Sequence, residues 1–171
     1  AGRLHRQKNW LYMLDMLKCA ESALDFTVLV FGQGEQEEEL KTRIEKLGLG
    51  ERVRMMGYVN NLGSAMRQAD LFLSTSSREG HPNVVMEALA AGCGTVLSDI
   101  PEHREFGELA RATLLPLGDA PAAALRLSEA AQRLRETPID RNQAEEHWLD
   151  FWSPATMTEA YVRLYQRLSD N

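Results

Sequence analysis

The chain has 171 residues, enough for one domain with its own core and short for two. Hydrophobic residues make up 44% and charged residues 26%, as in soluble globular proteins, and no apolar run reaches the ~18 residues of a membrane-spanning helix. With 19 basic and 25 acidic residues the net charge is −6, which argues against broad nucleic-acid binding; an anionic ligand must be met by a few local basic side chains and a helix N-terminus. The first residues are polar and basic with no apolar stretch behind them, so no secretory signal is expected. Cys19 and Cys93 fall in apolar segments without ligand spacing, which predicts two buried free thiols and a reducing, cytoplasmic compartment.

Residues 9–21 read as a helix, with Leu11, Leu14 and Leu17 at helical spacing and Asn9 as its cap. Residues 26–31, FTVLVF, are a β-branched and aromatic run, expected as a buried strand. Gly32, Gln33 and Gly34 form a tight turn, and residues 35–47 a helix with acidic residues at its start and Gly48 just past its end. A strand at 53–56, a short helix at 62–68 and a strand at 71–74 follow. Residues 75–81 are loop and 82–91 helix; 95–98 is a strand, 101–106 a helical turn and 113–115 a last short strand. Helices are expected at 120–135, 139–148 and 154–169. In the last, Met157, Tyr161, Leu164, Tyr165 and Leu168 form an apolar stripe, either core packing or a seam for another domain. Strands separated by helices mean βαβ units, hence an α/β domain with a parallel sheet of about six strands. Ligands of such sheets sit at the carboxyl ends of the strands, which directs attention to the loops after Phe31, Met56, Ser74 and Ser98.

Residues 74–92, STSSREGHPNVVMEALAAG, combine a strand end, a polar loop and a helix whose first turn is expected to hold Pro82. The N–H groups near Asn83, Val84 and Val85 lack intrahelical partners there, and with the helix dipole they suit a phosphate. Glu79 precedes the helix and Glu87 lies more than a turn into it. Carboxylates are good acceptors for sugar hydroxyls and poor phosphate ligands. A phosphate site between two polyol-binding carboxylates fits a nucleoside-diphosphate sugar.

The Glu79–Glu87 spacing of seven intervening residues, with Gly80 after the first and an Ala-Leu-Ala-Ala-Gly tail, resembles the signature of the group 1 (family 4) glycosyltransferases of the GT-B fold. Gly2, Arg3 and Leu4 with Lys8 are similar to the basic loop that opens that family's C-terminal domain. FTVLVFGQGEQEEEL, VRMMGYV, ADLFLSTS and the final FWSPATMTEAYVRLYQRL follow in the family's order. The resemblance implies a Rossmann-like, three-layer donor-binding domain over residues 1–171. It also implies that a β-strand and an N-terminal acceptor-binding domain, both absent from this chain, stand ahead of it in family members. Arg3 and Lys8 would neutralise the diphosphate leaving group. Glu79 would bind hydroxyls of the donor sugar and Glu87 those of the ribose. The backbone around Gly80, His81, Pro82, Asn83, Val84 and Val85 would bind sugar or phosphate. Val59 and its neighbours would line the base pocket, and Gly32 would touch the ligand through its backbone. The implied reaction is retaining, with no metal, no cofactor and no protein nucleophile, from a UDP- or GDP-sugar to a lipid-linked or saccharide acceptor in polysaccharide or glycolipid assembly. The acceptor domain would bring the chain to the inner face of the membrane, and the fragment by itself would transfer little or nothing.

Other readings remain. A non-catalytic nucleotide- or sugar-binding module could share the fold. Another GT-B activity, such as a sugar epimerase or a phosphorylase, is a third reading; a phosphorylase would bind pyridoxal phosphate through a lysine, and none follows Lys46. Gly32 and Gly34 are not a dinucleotide fingerprint, because Glu37 occupies the third glycine position and the acidic run Glu35–Glu39 repels a pyrophosphate. Gly94 stands where the family often has proline. His5, His103 and His147 read as isolated surface or packing residues, and Asp99 as the cap of the turn at Pro101.

Overall fold

The computed structural model describes residues 1–109, 112–151 and 154–169. Its strands are β1 (Val28–Phe31), β2 (Val53–Gly57), β3 (Leu71–Ser74), β4 (Gly94–Ser98) and β5 (Thr113–Leu115). The helices are α1 (Trp10–Ala20), α2 (Glu37–Leu47), α3 (Leu62–Met66), α4 (Asn83–Ala90), α5 (Pro101–Leu109), α6 (Ala120–Glu136), α7 (Arg141–Phe151) and α8 (Pro154–Ser169). All strand pairs are parallel, and side chains alternate across the sheet. Val96 and Leu115 join a core with α1, α2 and α6, while Leu97 and Leu114 join a second core with α4, Phe106 and Trp148. The result is the three-layer α/β domain expected.

The sheet is not continuous. The described residues hold five strands, rather than about six, in two hydrogen-bonded groups, β1-β2 and β3-β4-β5. Val28 N bonds Arg52 O and Gly32 N bonds Gly57 O, so the even residues of β1 face β2 and the odd ones face away. Gly94 N bonds Asp70 O, which turns the main-chain groups of Leu71 and Leu73 away from β4 by the same alternation. Between these two edges lies a groove of about 960 Å³, with Trp10, Met13 and Leu127 on one side and Met66 and Ala69 on the other.

The first residues are pinned at the end of that groove. Gly2 N donates to Phe31 O and Leu4 N to Gln33 O, both at 2.9 Å, the two-residue step of a parallel ladder. Leu4 is fully buried. This close approach, not a tight turn, is what demands glycine nearby: Gly32 has φ 142°, and a Cβ there would fall on the Gly2 carbonyl, as one at Gly34 would on that of Leu4.

Local corrections follow from tertiary contacts. Asn9 adopts the left-handed region (φ 54°) and makes no side-chain cap. α4 begins at Asn83, with Pro82 as its cap residue and not in its first turn. Gly48 ends α2 at φ 69° as expected. Cys19 is exposed; Cys93 is buried, donates to Met66 O at 3.1 Å, and burial pushes its thiol pKa up. Tyr161 and Tyr165 are exposed and do not pack in the core, while the side chains of Met157, Leu164 and Leu168 lie outside the described residues.

Candidate donor site

Four elements converge at the carboxyl end of β3. A single 3-10 turn at Arg6–Lys8 precedes α1, and its main chain anchors the loop after β3. Ser77 N donates to Gln7 O at 2.8 Å, Gln7 Nε2 donates to Arg78 O at 2.7 Å, and Thr75 Oγ1 donates to the carbonyls of Lys8 and Asn9 at 3.2 Å. At the end of this staple Lys8 Nζ lies 2.6 Å from Glu79 Oε1. The Glu79 side chain is only 8% exposed and that of Lys8 21%, so the pair is partly withdrawn from water and its charge-assisted bond is correspondingly strong. The family resemblance assigns Lys8 to the diphosphate and Glu79 to the donor sugar; the fold brings the two side chains into contact across 71 positions.

On the other side of the loop, the buried Ser98 hydroxyl donates to Ser76 O at 2.5 Å, and Ser74 Oγ lies 3.2 Å from Ser76 Oγ. His103, on α5, is fully buried against Ser98. Sequence reasoning read His103 as isolated and missed this serine cluster. The available signal was a serine closing both β3 and β4, where α/β sheets present their ligands. Asp99 does not serve as a cap in this structure; it pairs with Arg104 at 2.6 Å.

The helix-start amides are fewer than the sequence suggests. Asn83 N bonds His81 O and Val85 N bonds Pro82 O, so both are satisfied internally. Among the described residues Gly80, His81 and Val84 keep backbone N–H groups without a backbone partner. Val85 is buried, whereas His81, Asn83 and Glu87 are exposed. Arg3 is exposed, and its carbonyl accepts Trp10 Nε1 at 3.1 Å, so the residue is held at the mouth rather than frayed. Val59 lies after β2 at the groove between the half-sheets, and Gly32 abuts Gly2. The structure thus brings together Lys8, Glu79 and the start of α4. The groove between the half-sheets is not lined by Glu79 or Glu87.

The comparisons agree with this architecture. The model of the family described as "Glycosyl transferases group 1" matches residues 1–143. An N-acetylgalactosaminyltransferase of Campylobacter jejuni acting on a diphospho-undecaprenol is 34% identical over 98 residues, 57% of this chain and 26% of that protein. The lipopolysaccharide core biosynthesis glycosyltransferase LpsD of Rhizobium meliloti is 28% identical over 97% of this chain and 48% of its own length. A Staphylococcus aureus TarM variant, crystallised with UDP and α-GlcNAc-glycerol, superposes with a TM-score of 0.83 at 18% identity over 96% of this chain and 34% of that one. This chain therefore spans between a quarter and a half of the length of these curated relatives. Its fold is that of the Rossmann-like domain of GT-B enzymes. The chain belongs to the group 1 glycosyl transferases.

Proposed function

We propose that the chain is the donor-binding half of a retaining, metal-independent glycosyltransferase that moves a sugar from a nucleoside-diphosphate sugar to an acceptor held by another domain. The observation that carries this reading is the Lys8–Glu79 pair beside the start of α4. The leaving group is a diphosphate, and its developing charge must be met as the glycosidic bond breaks. Lys8 and Arg3 supply fixed positive charge, and the Val84 N–H with the α4 dipole supplies a further electropositive point. Glu79, oriented by Lys8, accepts hydroxyls of the donor sugar; Glu87 accepts those of the ribose. Retention needs no protein nucleophile when the acceptor attacks from the leaving-group side. The α-linkages named for the Campylobacter relative and in the TarM complex favour that outcome from an α-linked donor. The diphospho-undecaprenol and lipopolysaccharide core in the relatives' names also favour surface polysaccharide or lipid-linked saccharide assembly and a membrane-proximal acceptor, and a cytoplasmic donor site belongs to the same proposal.

The groove between β1 and β3 supports the rest of the domain reading. If the Gly2–Phe31 and Leu4–Gln33 ladder continued backward, it would run a central parallel strand through the groove, and a residue just ahead of Ala1 would donate to Leu29 O. The completed six-strand sheet reverses its order between that strand and β3, and Lys8 and Glu79 sit at this switch point.

The test is a titration of the chain against UDP-, GDP-, ADP- and dTDP-sugars and the bare nucleotides. One sugar nucleotide should bind more tightly than its nucleotide. Glu79→Ala should erase that difference, and Glu87→Ala should weaken both ligands. Binding of bare nucleotide with no preference for the sugar-bearing form would favour a non-catalytic module instead.

A further inference from the structure

The buried imidazole of His103 has a determined proton. Its Nδ1 lies 3.0 Å from Ser98 O and 3.2 Å from Ser98 Oγ. A carbonyl can only accept, so Nδ1 must donate to it. The single hydroxyl proton of Ser98 is given to Ser76 O at 2.5 Å, so Ser98 Oγ can offer Nδ1 nothing but a lone pair. Both contacts require the Nδ1–H tautomer, and Nε2 is then a bare acceptor, buried and without a partner among the described residues. A fully buried acceptor left unmet is costly, and Phe would fill the same space without that cost. What Phe could not do is donate to Ser98.

That donation matters because of what Ser98 holds. The loop carrying Glu79 is fastened on one flank by the Arg6–Lys8 turn through Thr75, Ser77 and Arg78. On the opposite flank, its bond from the β4 end is Ser98 Oγ to Ser76 O, three residues before Glu79. A serine hydroxyl rotates freely unless a second partner fixes it. His103 is that partner.

We propose that His103 is a positioning residue for Glu79: through Nδ1–H it locks the Ser98 hydroxyl onto the Ser76 carbonyl and so sets the height of the Glu79 loop over the donor site. This rests on the donor-site reading for its consequence on binding, but not for its consequence on the loop. The charged groups acting on the ring are Glu79 from that loop, Lys8 from the turn before α1, and Glu102 from α5 itself. Protonation of Nε2 would place a cation that competes with Lys8 for Glu79.

The test uses His103→Asn, whose amide can replace the Nδ1–H, and His103→Phe, which cannot. Amide hydrogen exchange at Ser77, bonded to Gln7 O, reports the loop without any ligand. His103→Phe should speed that exchange on the order of 10-fold, and His103→Asn should leave it near the parent's. With the tightest-binding sugar nucleotide of the UDP-, GDP-, ADP- and dTDP-glucose set, His103→Phe should lose about 10-fold in affinity while the bare nucleotide is unchanged. It should lose nothing further when Glu79→Ala is already present. Parent affinity for the sugar nucleotide should also fall at acid pH, a dependence that His103→Asn removes. Equal exchange in all three proteins, or equal loss for both ligands, or a full loss on the Glu79→Ala background, overturns the proposal. If His103→Phe does not fold, Ser98→Ala takes its place with the same expected outcomes. If the parent binds no sugar nucleotide, the donor-site reading fails, and the Ser77 exchange still decides the role of His103.

Discussion

Lys8 Nζ and Glu79 Oε1 stand 2.6 Å apart, although 71 positions separate them in the chain. The contact joins the turn ahead of α1 to the loop after β3, and it puts a cation and a carboxylate into one unit. Each holds the other in place, so a ligand that draws Lys8 toward its phosphates also shifts the environment of Glu79.

This coupling predicts non-additive energetics. Lys8→Met should destabilise the fold by about 1–3 kcal/mol, because it leaves a nearly buried carboxylate without its cation. The double variant Lys8→Met with Glu79→Gln should be more stable than the sum of the singles predicts, by about 0.5–3 kcal/mol. Urea titrations of the four proteins check it. Strict additivity would mean that the pair contributes no coupling. Donor affinity should not recover in the double variant.

Gly32 is predicted to tolerate no side chain. Its φ of 142° and the Gly2 carbonyl above it mean that Gly32→Ala must break the ladder that pins Arg3. A loss on the order of 3 kcal/mol or more is expected. Gly50→Ala is the control, since nothing lies within 4 Å of its Cβ, and it should stay within about 0.5 kcal/mol of the parent. Thermal melts of both variants distinguish a steric requirement from general sensitivity to glycine replacement.

The groove between β1 and β3 predicts what an N-terminal extension does. Five β-branched residues placed ahead of Ala1 should slow amide exchange at Leu29, Leu71 and Leu73 by on the order of 100-fold. A proline immediately ahead of Ala1 lacks the N–H that would meet Leu29 O and should abolish the effect. Equal protection with and without proline would dismiss the sixth strand. Protection in a dimer of the unextended chain would assign the groove to a second copy instead.

Acid should weaken the fold through His103. Burial, the largest effect, holds this imidazole below its ordinary 6.5 despite the raising influence of the Ser98 carbonyl, Glu79 and Glu102. The unfolded chain then binds the proton more readily than the folded one. The stability contribution is complete above 6.5, declines as the pH falls through the folded value, and is constant below it. Melting temperatures measured between about pH 8 and pH 5 should fall more steeply for the parent than for His103→Asn.

Much of the fold is readable from local pattern. The strands at 71–74 and 113–115 and the helix at Pro154–Ser169 match their expected bounds, because apolar runs, periodicity and Gly or Pro punctuation act over a few residues. α4 starts one residue later than expected because the Pro82 carbonyl accepts Val85 N and ends the loop there. Cys19 was misjudged because an apolar segment does not reveal which face a helix buries.

By itself the sequence determined the order of parallel βαβ units, the acidic pair flanking the start of α4, and membership in the group 1 glycosyl transferases. Only the tertiary structure decided that Lys8 meets Glu79, that Gly2 and Leu4 ladder onto Phe31 and Gln33, and that the buried His103 ring contacts Ser98. The first set depends on interactions between residues a turn or a strand apart. The second depends on where whole elements come to rest against one another, and no short window of sequence records that.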